Sequence, residues 1–143
     1  MGEAREVMDR LTEAITSADV KAIAELYAPD AVAVTPDGGK LLGRDNIVEY
    51  WRQMTDAVPE GTYESVEAYE IGDTAVDEGY FSGRNTGPIA LPSGDHLPAT
   101  QKEFRIRGVD LATVRDGHIV DYRLYFDQME FLGQLGLLPA EFS

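Results

Sequence analysis

The sequence predicts an α+β fold in which a curved sheet wraps around helices. Apolar residues recur every three to four positions up to about residue 58 and at every second position after residue 61, so the period changes from helical to extended. Two hairpin signals, Gly72-Asp73 and Asp116-Gly117, lie within the extended part. After Phe126 the pattern is helical once more. The expected order is three helices with a short strand among them, then a meander of antiparallel strands, then a closing helix.

The first three helices are each marked by one apolar stripe. The first spans residues 3–17, and its stripe consists of Val7, Met8, Leu11 and Ile15. The second begins at the N-cap Asp19 and ends before Pro29, with a stripe of Val20, Ile23, Ala24 and Tyr27. A strand over residues 31–35 then leads into a turn at 36–39. The third helix ends at Pro59 and Gly61, and its stripe consists of Ile47, Trp51, Met54 and Val58.

The second half of the chain predicts four long strands and a closing helix. The strands cover residues 63–71, 74–83, 101–115 and 118–126. Residues 86–100 contain three prolines and two glycines, which predicts a long loop or a short irregular strand. The closing helix opens with Asp127 and Glu130 as a capping box and ends at Gly136. Because no repeat, low-complexity tract or linker interrupts the pattern, residues 1–143 are expected to form a single domain.

Charge and residue types exclude several classes of function. Twelve Lys and Arg stand against 26 Asp and Glu, and the formal net charge of −14 argues against nucleic acid or an anionic membrane as a partner. Cysteine is absent, which excludes disulfides and thiolate chemistry. The two histidines lack metal-ligand spacing, and no nucleotide-binding or serine hydrolase motif is present. The sequence therefore predicts neither a metal nor another cofactor.

The N-terminal residues are charged and lead directly into the first amphipathic pattern. They lack the apolar core of a signal peptide. No apolar run in the chain approaches the roughly 20 residues that a membrane span needs. The expected location of the protein is therefore the cytoplasm.

One carboxylate, Asp110, stands among apolar residues on the third long strand. Alternation places it on the inner face with Phe104, Ile106, Gly108, Ala112 and Val114. Arg105 and Arg107 lie on the outer face, where we expect them to pair with Asp121. Burial without a cationic neighbour raises the pKa of a carboxyl, so Asp110 is a candidate acid–base group in the wall of a pocket. The alternative is a structural carboxylate held by a tyrosine hydroxyl or a backbone N–H.

Segments from most of the chain carry a family resemblance. They are residues 17–30, Gly43-Arg44-Asp45 with the third helix, and residues 114–119, 125–128 and 134–139. In these segments the chain resembles the NTF2-like superfamily, in particular its SnoaL-like polyketide cyclases and ketosteroid isomerase-like members. The resemblance implies a conical barrel with a hydrophobic cavity, formed by a curved mixed or antiparallel sheet around three N-terminal helices, with a C-terminal helix. It also implies cofactor-free acid–base chemistry and a homodimer packed through the outer sheet face.

The matching positions carry only part of the family's catalytic machinery. Asp110 falls where the isomerase-like proteins place an acidic residue that stabilises an oxyanion. Their general-base Asp corresponds to Thr35, and their oxyanion Tyr corresponds to Leu11. The acid–base Asp of the cyclases, a position that limonene epoxide hydrolase-like relatives also use, corresponds to Leu124. The chain therefore uses another pair of groups in the same cavity or binds a ligand without transforming it.

Two further carboxylates are candidate catalytic partners of Asp110. Glu78 alternates with Tyr80 on one face of the second long strand, and Asp77 lies on the opposite face. If Glu78 faces inward, it forms with Asp110 a carboxyl pair whose pKa values are pushed apart, which gives an acid and a base. Surface exposure of Glu78 is the alternative. Asp127 is the other candidate acid, and capping of the last helix is its alternative role.

Seven residues are candidate ligand contacts because they lie on an apolar helix stripe, on a strand beside the pocket or in the proline-rich segment: Tyr27, Trp51, Tyr80, His96, Tyr122, Leu124 and Phe126. For the aromatic residues on helices, plain core packing is the alternative. Tyr122 offers a hydroxyl to a ligand or to Asp110. His96 offers a base near neutral pH at the rim, or is a solvated loop residue.

The leading hypothesis is a cofactor-independent enzyme of isomerase or cyclase type. In it, Asp110 is the buried acid or the oxyanion donor of a proton transfer, and the resemblance implies a polyketide- or steroid-like ketone or enol as the substrate. The second hypothesis is a non-catalytic protein that binds a small molecule in the same cavity, which the loss of the cyclase Asp at Leu124 favours. In the third hypothesis, side chains fill the cavity and the domain mediates dimerisation.

Overall fold

The computed structural model describes residues 2–91 and 93–138, so Pro139, the end of one family-like segment, lies outside the described residues. The described residues form four helices: α1 (Glu3–Thr16), α2 (Val20–Leu26), α3 (Arg44–Ala57) and α4 (Gln128–Gln134). They also form eight strands: β1 (Tyr27–Thr35), β2 (Gly39–Leu42), β3 (Thr62–Ile71), β4 (Thr74–Arg84), β5 (Ile89–Ala90), β6 (His96–Leu97), β7 (Glu103–Arg115) and β8 (His118–Phe126).

Six strands form one curved sheet in the order β2-β1-β8-β7-β4-β3. Neighbouring strands are antiparallel except β1 and β8, which run parallel. Strands β5 and β6 form a separate two-stranded ribbon. Helices α1 and α3 pack on one face of the large sheet. The predicted α+β architecture is therefore confirmed. No helix among the described residues is long and apolar enough to cross a lipid bilayer.

Both two-residue hairpin turns are confirmed. Ile71 pairs with Thr74 around the first turn, and Arg115 pairs with His118 around the second. Asp116 and Gly117 have φ angles of 54° and 78°. Two successive positive φ angles are what a type I′ turn requires, and this turn matches the twist of the two strands that it joins.

Two element boundaries differ from the sequence prediction. Helix α2 ends at Leu26, and Tyr27 already begins β1, where it pairs with Ile119 of β8. The following Pro29 disfavours helical backbone just before it, and the parallel partner strand offers the extended chain its hydrogen bonds. Strand β2 was not predicted, because its four residues are too short and too exposed to show alternation.

The core lies between the inner face of the sheet and helices α1, α2 and α3. The sheet contributes small residues at its centre: Ala31, Ala33, Ala75 and Ala112. Small inner-face side chains allow the helices to approach the strands closely, and Leu11 and Met8 of α1 are fully buried there. A second cluster of Val58, Phe104, Ile106 and Leu135 lies toward α4.

A buried ion pair attaches α1 to the sheet. Arg5 is 6% exposed and Asp77 of β4 is 5% exposed. The guanidinium Nη1 lies 2.8 Å from Oδ1 of Asp77 and Nη2 lies 3.0 Å from Oδ2, which makes the pair bidentate. Arg5 also donates to Asp9 one turn further along the helix. The carboxylate of Glu70 accepts the backbone N–H groups of Gly2 and Arg5 at 2.9 Å each, which caps the helix from the sheet.

We expect Arg5→Met to lower the free energy of unfolding by about 3–5 kcal/mol, because it leaves the Asp77 carboxylate buried without its partner. Chemical denaturation at neutral pH measures this change. Arg52→Met is the matched control, since Arg52 pairs with Glu49 and Asp56 on an exposed helix face and its loss should leave the midpoint nearly unchanged. Equal midpoints for Arg5→Met and the wild type would contradict the structural role of the buried pair.

Candidate functional site

A cavity lies between the inner face of the sheet and helices α1, α3 and α4. Its volume is about 90 Å³. One water needs on the order of 10–15 Å³, so the space holds several waters or part of an organic ligand. Most of the wall is apolar: Ile15, Trp51, Met54, Phe81, Ile106, Leu124, Phe126 and Phe131. The polar side chains of the wall belong to Thr12, Thr16, Tyr63, Asp110 and Tyr122. The side chains thus leave an open space inside the fold. This argues against the third hypothesis, in which side chains fill the cavity and the domain mediates dimerisation.

Asp110 lies partly buried on the inner face of β7, among the apolar neighbours that the alternation predicted. The Tyr122 hydroxyl donates a hydrogen bond to Oδ2 of Asp110 at 2.6 Å. The pKa of Asp110 is raised to about 7. Burial is the largest cause, the Tyr122 hydrogen bond acts in the opposite direction, and the negative charge of Asp77 raises the pKa further. Near neutral pH the carboxyl and carboxylate forms of Asp110 are therefore both populated, as a group that takes and returns a proton requires.

The carboxylate beside Asp110 is Asp77 rather than Glu78. Strand β4 pairs with β7 so that Asp77 lies opposite Asp110, whereas Glu78 lies opposite Val109 on the outer face and is exposed. The expected Glu78–Asp110 pair is therefore wrong. Each face of β4 carries one acidic residue among apolar residues. The strand register decides which of the two acidic side chains faces inward. Because Asp77 is held by Arg5, its charge is balanced within the protein.

An aromatic cluster supports the wall behind Asp110. The indole N–H of Trp51 donates to the Tyr27 hydroxyl at 3.0 Å. The rings of Trp51 and Tyr27 both meet Tyr122 edge to face, with centroid distances of 5.8 Å and 6.2 Å. Trp51 and Tyr122 line the cavity, together with Leu124 and Phe126, as predicted. Tyr27 is fully buried behind them and does not reach the cavity, contrary to the prediction.

Three other predicted site residues lie outside the cavity lining. Tyr80 shares the outer face with Glu78 and is covered by the guanidinium of Arg105, 3.6 Å from the ring centroid. His96 is exposed on the β5–β6 ribbon. Asp127 is exposed, and its carboxylate accepts the backbone N–H of Glu130 at 3.1 Å, which caps α4. The capping alternative therefore accounts for Asp127.

The ion pairs of the outer sheet face also differ from the prediction. Arg105 pairs with Glu64 of β3 at 2.7 Å, and Asp121 pairs with Arg123 of its own strand at 3.2 Å. Arg105 lies near the start of β7, opposite Ser82, whereas Asp121 lies opposite Thr113 near the end of that strand. The two side chains are therefore too far apart for the expected cross-strand pair.

Three positions that match family catalytic residues carry no ionisable group. Leu11 is buried in the core, and Leu124 lies in the cavity wall. The hydroxyl of Thr35 accepts the backbone N–H of Gly38 at 2.7 Å and serves the β1–β2 turn. Among the described residues, no group of three or more His, Asp or Glu side chains is arranged to hold a metal ion. Acid–base chemistry in this cavity therefore depends on Asp110.

The sequence analysis did not assign Arg5, Asp77 or Tyr63 to the site. Arg5 lies three residues before Met8 and therefore beside the apolar stripe of the first helix. A cation at such a position is a detectable signal in a chain with few cations. Asp77 was recognised as one of two alternatives, but its face depends on the register. Tyr63 is the second residue of β3, a mostly exposed strand, so alternation gives no signal for it.

Comparison with known proteins agrees with this fold. The model of the SnoaL-like domain matches residues 8–122, most of the chain. The chain belongs to the SnoaL-like domain family. The family resemblance in the sequence is thereby confirmed. No curated protein sequence matches this SnoaL-like protein.

Solved structures share the fold of this SnoaL-like protein over nearly its whole length. A candidate SnoaL-like polyketide cyclase from Jannaschia sp. CCS1 is 18% identical with a TM-score of 0.82, over 96% of this chain and 94% of that one. IdmH, a candidate polyketide cyclase from Streptomyces antibioticus, is 25% identical with a TM-score of 0.75, over 94% and 99%. A hypothetical protein with a ketosteroid isomerase-like fold from Catenulispora acidiphila DSM 44928, in complex with trimethylamine, is 22% identical with a TM-score of 0.75, over 96% and 97%.

We expect Asp77→Asn to lower the pKa of Asp110 below its value of about 7, because the substitution removes a negative charge and leaves the positive charge of Arg5 nearby. A carbon-13 NMR titration of the Asp110 carboxyl group measures the shift. Glu78→Gln is the matched control: it removes the same charge one residue away, on the outer face, and should leave the pKa of Asp110 near 7. A larger shift from Glu78→Gln than from Asp77→Asn would contradict the assigned faces of β4.

Proposed function

We propose that this SnoaL-like protein is a cofactor-independent acid–base enzyme of isomerase or cyclase type, which acts on a hydrophobic polyketide- or steroid-like ketone or enol. The observation that carries the proposal is the Asp110 carboxyl, which has a pKa of about 7 in an otherwise mostly apolar cavity wall. Membership of the family and the likeness to two candidate polyketide cyclases support it. The trimethylamine complex of the Catenulispora protein supports binding of a small molecule.

The proposed chemistry is a proton exchange at the carbon next to a substrate carbonyl. The Asp110 carboxylate takes that proton, and the C–H electron pair moves into an enolate. In an isomerisation, protonated Asp110 returns the proton to a different carbon. In a cyclisation, the enolate carbon forms a C–C bond with a second carbonyl of the same molecule, and Asp110 gives its proton to the new alkoxide. Both are net isomerisations that restore Asp110, so neither needs a co-reactant.

Tyr122 positions Asp110 for this exchange. Because its hydroxyl holds Oδ2, we assign the proton transfer to Oδ1. Burial, followed by the charge of Asp110, keeps the pKa of Tyr122 well above its ordinary value, so the hydroxyl stays a donor to the carboxylate. The edge-to-face contacts with Trp51 and Tyr27 restrict the Tyr122 ring and thereby the orientation of Asp110.

We expect Asp110→Asn to slow enzyme-dependent proton exchange by about a hundredfold or more, the usual contribution of a positioned acid–base group. The probe is 2-tetralone, an apolar ketone with exchangeable protons beside its carbonyl, and the measurement is deuterium incorporation from D2O followed by NMR. Asp127→Asn is the matched control, since asparagine also caps a helix and the residue is exposed. Binding of 2-tetralone by the wild type without exchange above the buffer rate would favour the non-catalytic binding protein instead.

We propose in addition that two copies associate through the outer face of the sheet. Large apolar side chains are exposed there on β2, β3 and β8: Leu42, Tyr69, Ile71 and Tyr125. Tyr125 lies opposite Val109 near the centre of this face. Exposed apolar patches of this kind are typical of protein–protein interfaces. A homodimer would cover these side chains and leave the cavity on the opposite face accessible.

We expect the wild type to have twice the 15.7 kDa mass of the chain in light scattering, and Tyr125→Asp to have the mass of one chain, because a buried unpaired charge opposes association. Met129→Asp is the matched control. Met129 is equally exposed but lies on α4, away from the sheet face, so this variant should remain dimeric. A monomeric wild type would refute the proposed interface.

A further inference from the structure

Tyr63 is a polar residue of the cavity wall whose hydrogen-bonding capacity is unused. Its hydroxyl is buried and has no hydrogen-bond partner among the described residues. The hydroxyls of Thr12 and Thr16 donate to backbone carbonyls of their own helix, and the hydroxyl of Tyr122 donates to Asp110. Buried polar groups in folded proteins nearly always have a partner, since an unpaired one costs stability. The Tyr63 hydroxyl can therefore donate a hydrogen bond to a group supplied from outside the chain.

Gly79 fixes the position of the Tyr63 ring. A Cβ atom at residue 79 would lie 2.3 Å from the Tyr63 hydroxyl oxygen and 2.4 Å from Cζ, so the end of the phenol ring rests directly on this glycine. Gly79 follows Asp77 on the inner face of β4, and Asp77 is the cross-strand partner of Asp110. The glycine thus brings the Tyr63 hydroxyl to the part of the wall that carries Asp110.

The charges around Tyr63 show that its hydroxyl is a donor near Asp110. Burial, followed by the negative charges of Asp110 and Asp77, raises the pKa of Tyr63 above its ordinary value. The hydroxyl therefore stays protonated at neutral pH. Tyr63 and Asp110 both line the cavity, yet no hydrogen bond joins them among the described residues. Both groups are therefore separate polar features of the same cavity wall.

We infer that the Tyr63 hydroxyl donates a hydrogen bond to an oxygen atom of the ligand, beside the carbon that exchanges its proton with Asp110. The inference rests on the proposed function and names the group that the site recognises: a neutral carbonyl, enol or phenol oxygen on an apolar skeleton. When Asp110 takes the proton from the adjacent carbon, negative charge grows on that oxygen. A donor already in place stabilises this charge more than it stabilises the neutral carbonyl, which is how an oxyanion site accelerates a reaction.

The charges of the cavity disfavour an anionic ligand group. Asp110 and Arg107 are the charged residues among those described in the lining, and the Arg107 side chain is exposed on the outer face, opposite Tyr80. Asp77 adds a negative charge close by that Arg5 balances. A carboxylate or phosphate would therefore meet the negative charge of ionised Asp110 without a cation in the lining to pair with it.

Two matched probes test the inference. One is 2-naphthol, an apolar bicyclic molecule with one hydroxyl oxygen, and the other is 2-methylnaphthalene, which has nearly the same shape without the oxygen. We expect the wild type to prefer 2-naphthol and Tyr63→Phe to weaken its binding about threefold to tenfold, the usual contribution of one hydrogen bond. The affinity for 2-methylnaphthalene should not change. Fluorescence titration of each probe gives the dissociation constants.

Thermal unfolding without a ligand separates ligand binding from a structural role. If the Tyr63 hydroxyl has no protein partner, Tyr63→Phe should unfold at the same temperature as the wild type or higher, because it removes an unpaired buried group. Tyr80→Phe is the matched control, since Tyr80 lies on the outer face of the neighbouring strand β4 and a phenyl ring keeps its contact with Arg105. It should alter neither the unfolding temperature nor the affinity for either probe.

Three outcomes would overturn the inference. They are a lower unfolding temperature of Tyr63→Phe, an unchanged preference of that variant for 2-naphthol, and a wild type that binds neither probe or binds both equally. Failure of the proposed function gives a different result. Loss of the 2-naphthol preference in Tyr63→Phe, in a protein that does not exchange the protons of 2-tetralone, would support the Tyr63 hydrogen bond and refute only the enzymatic role.

Discussion

The ion pair between Arg5 and Asp77 is the interaction on which the geometry of the site depends. It joins the first helix to β4, and Asp77 lies directly opposite Asp110. A one-residue slip of β4 would turn Glu78 inward and leave Arg5 without its bidentate partner, so the pair also selects the register. Because Arg5 balances the charge of Asp77, a second carboxylate can lie beside Asp110 without forcing its pKa far above neutrality.

The ionisable residues of the cavity lining all belong to the sheet. Asp110, Tyr122 and Tyr63 come from three strands of the sheet, while α3 and α4 contribute the side chains of Trp51, Met54 and Phe131. The position that the family resemblance matches to the cyclase Asp carries the apolar Leu124. A substrate would therefore be oriented by its polar end alone, and its remaining surface would contact aromatic and aliphatic groups. This arrangement suits a proton exchange at one carbonyl better than a mechanism that acts from two opposite walls.

The sequence alone predicted those parts of the molecule where the residue pattern fits only one local structure. The inner faces of β7 and of β8 from Tyr122 onward follow from alternation, and both hairpin turns follow from their Gly-containing dipeptides. Strand β4 could not be assigned in this way, because both of its faces mix acidic and apolar residues. The contacts of Arg5 and Glu70 join residues far apart in the sequence, and the position of Tyr63 depends on a glycine in the neighbouring strand. These features follow from tertiary packing, which local periodicity does not encode.

The parallel pairing of β1 with β8 affects folding during synthesis on the ribosome. This pairing brings Ala33 beside Tyr122, and the cavity takes residues from α1 as well as from α4. A chain emerging from the ribosome therefore lacks both a complete sheet and a cavity until β8 has been synthesised. Until then one edge of β1 and the residues of α2 that pack against β8 have no partner. Such exposed surfaces bind chaperones or aggregate, so synthesis of nearly the whole chain must precede any ligand binding.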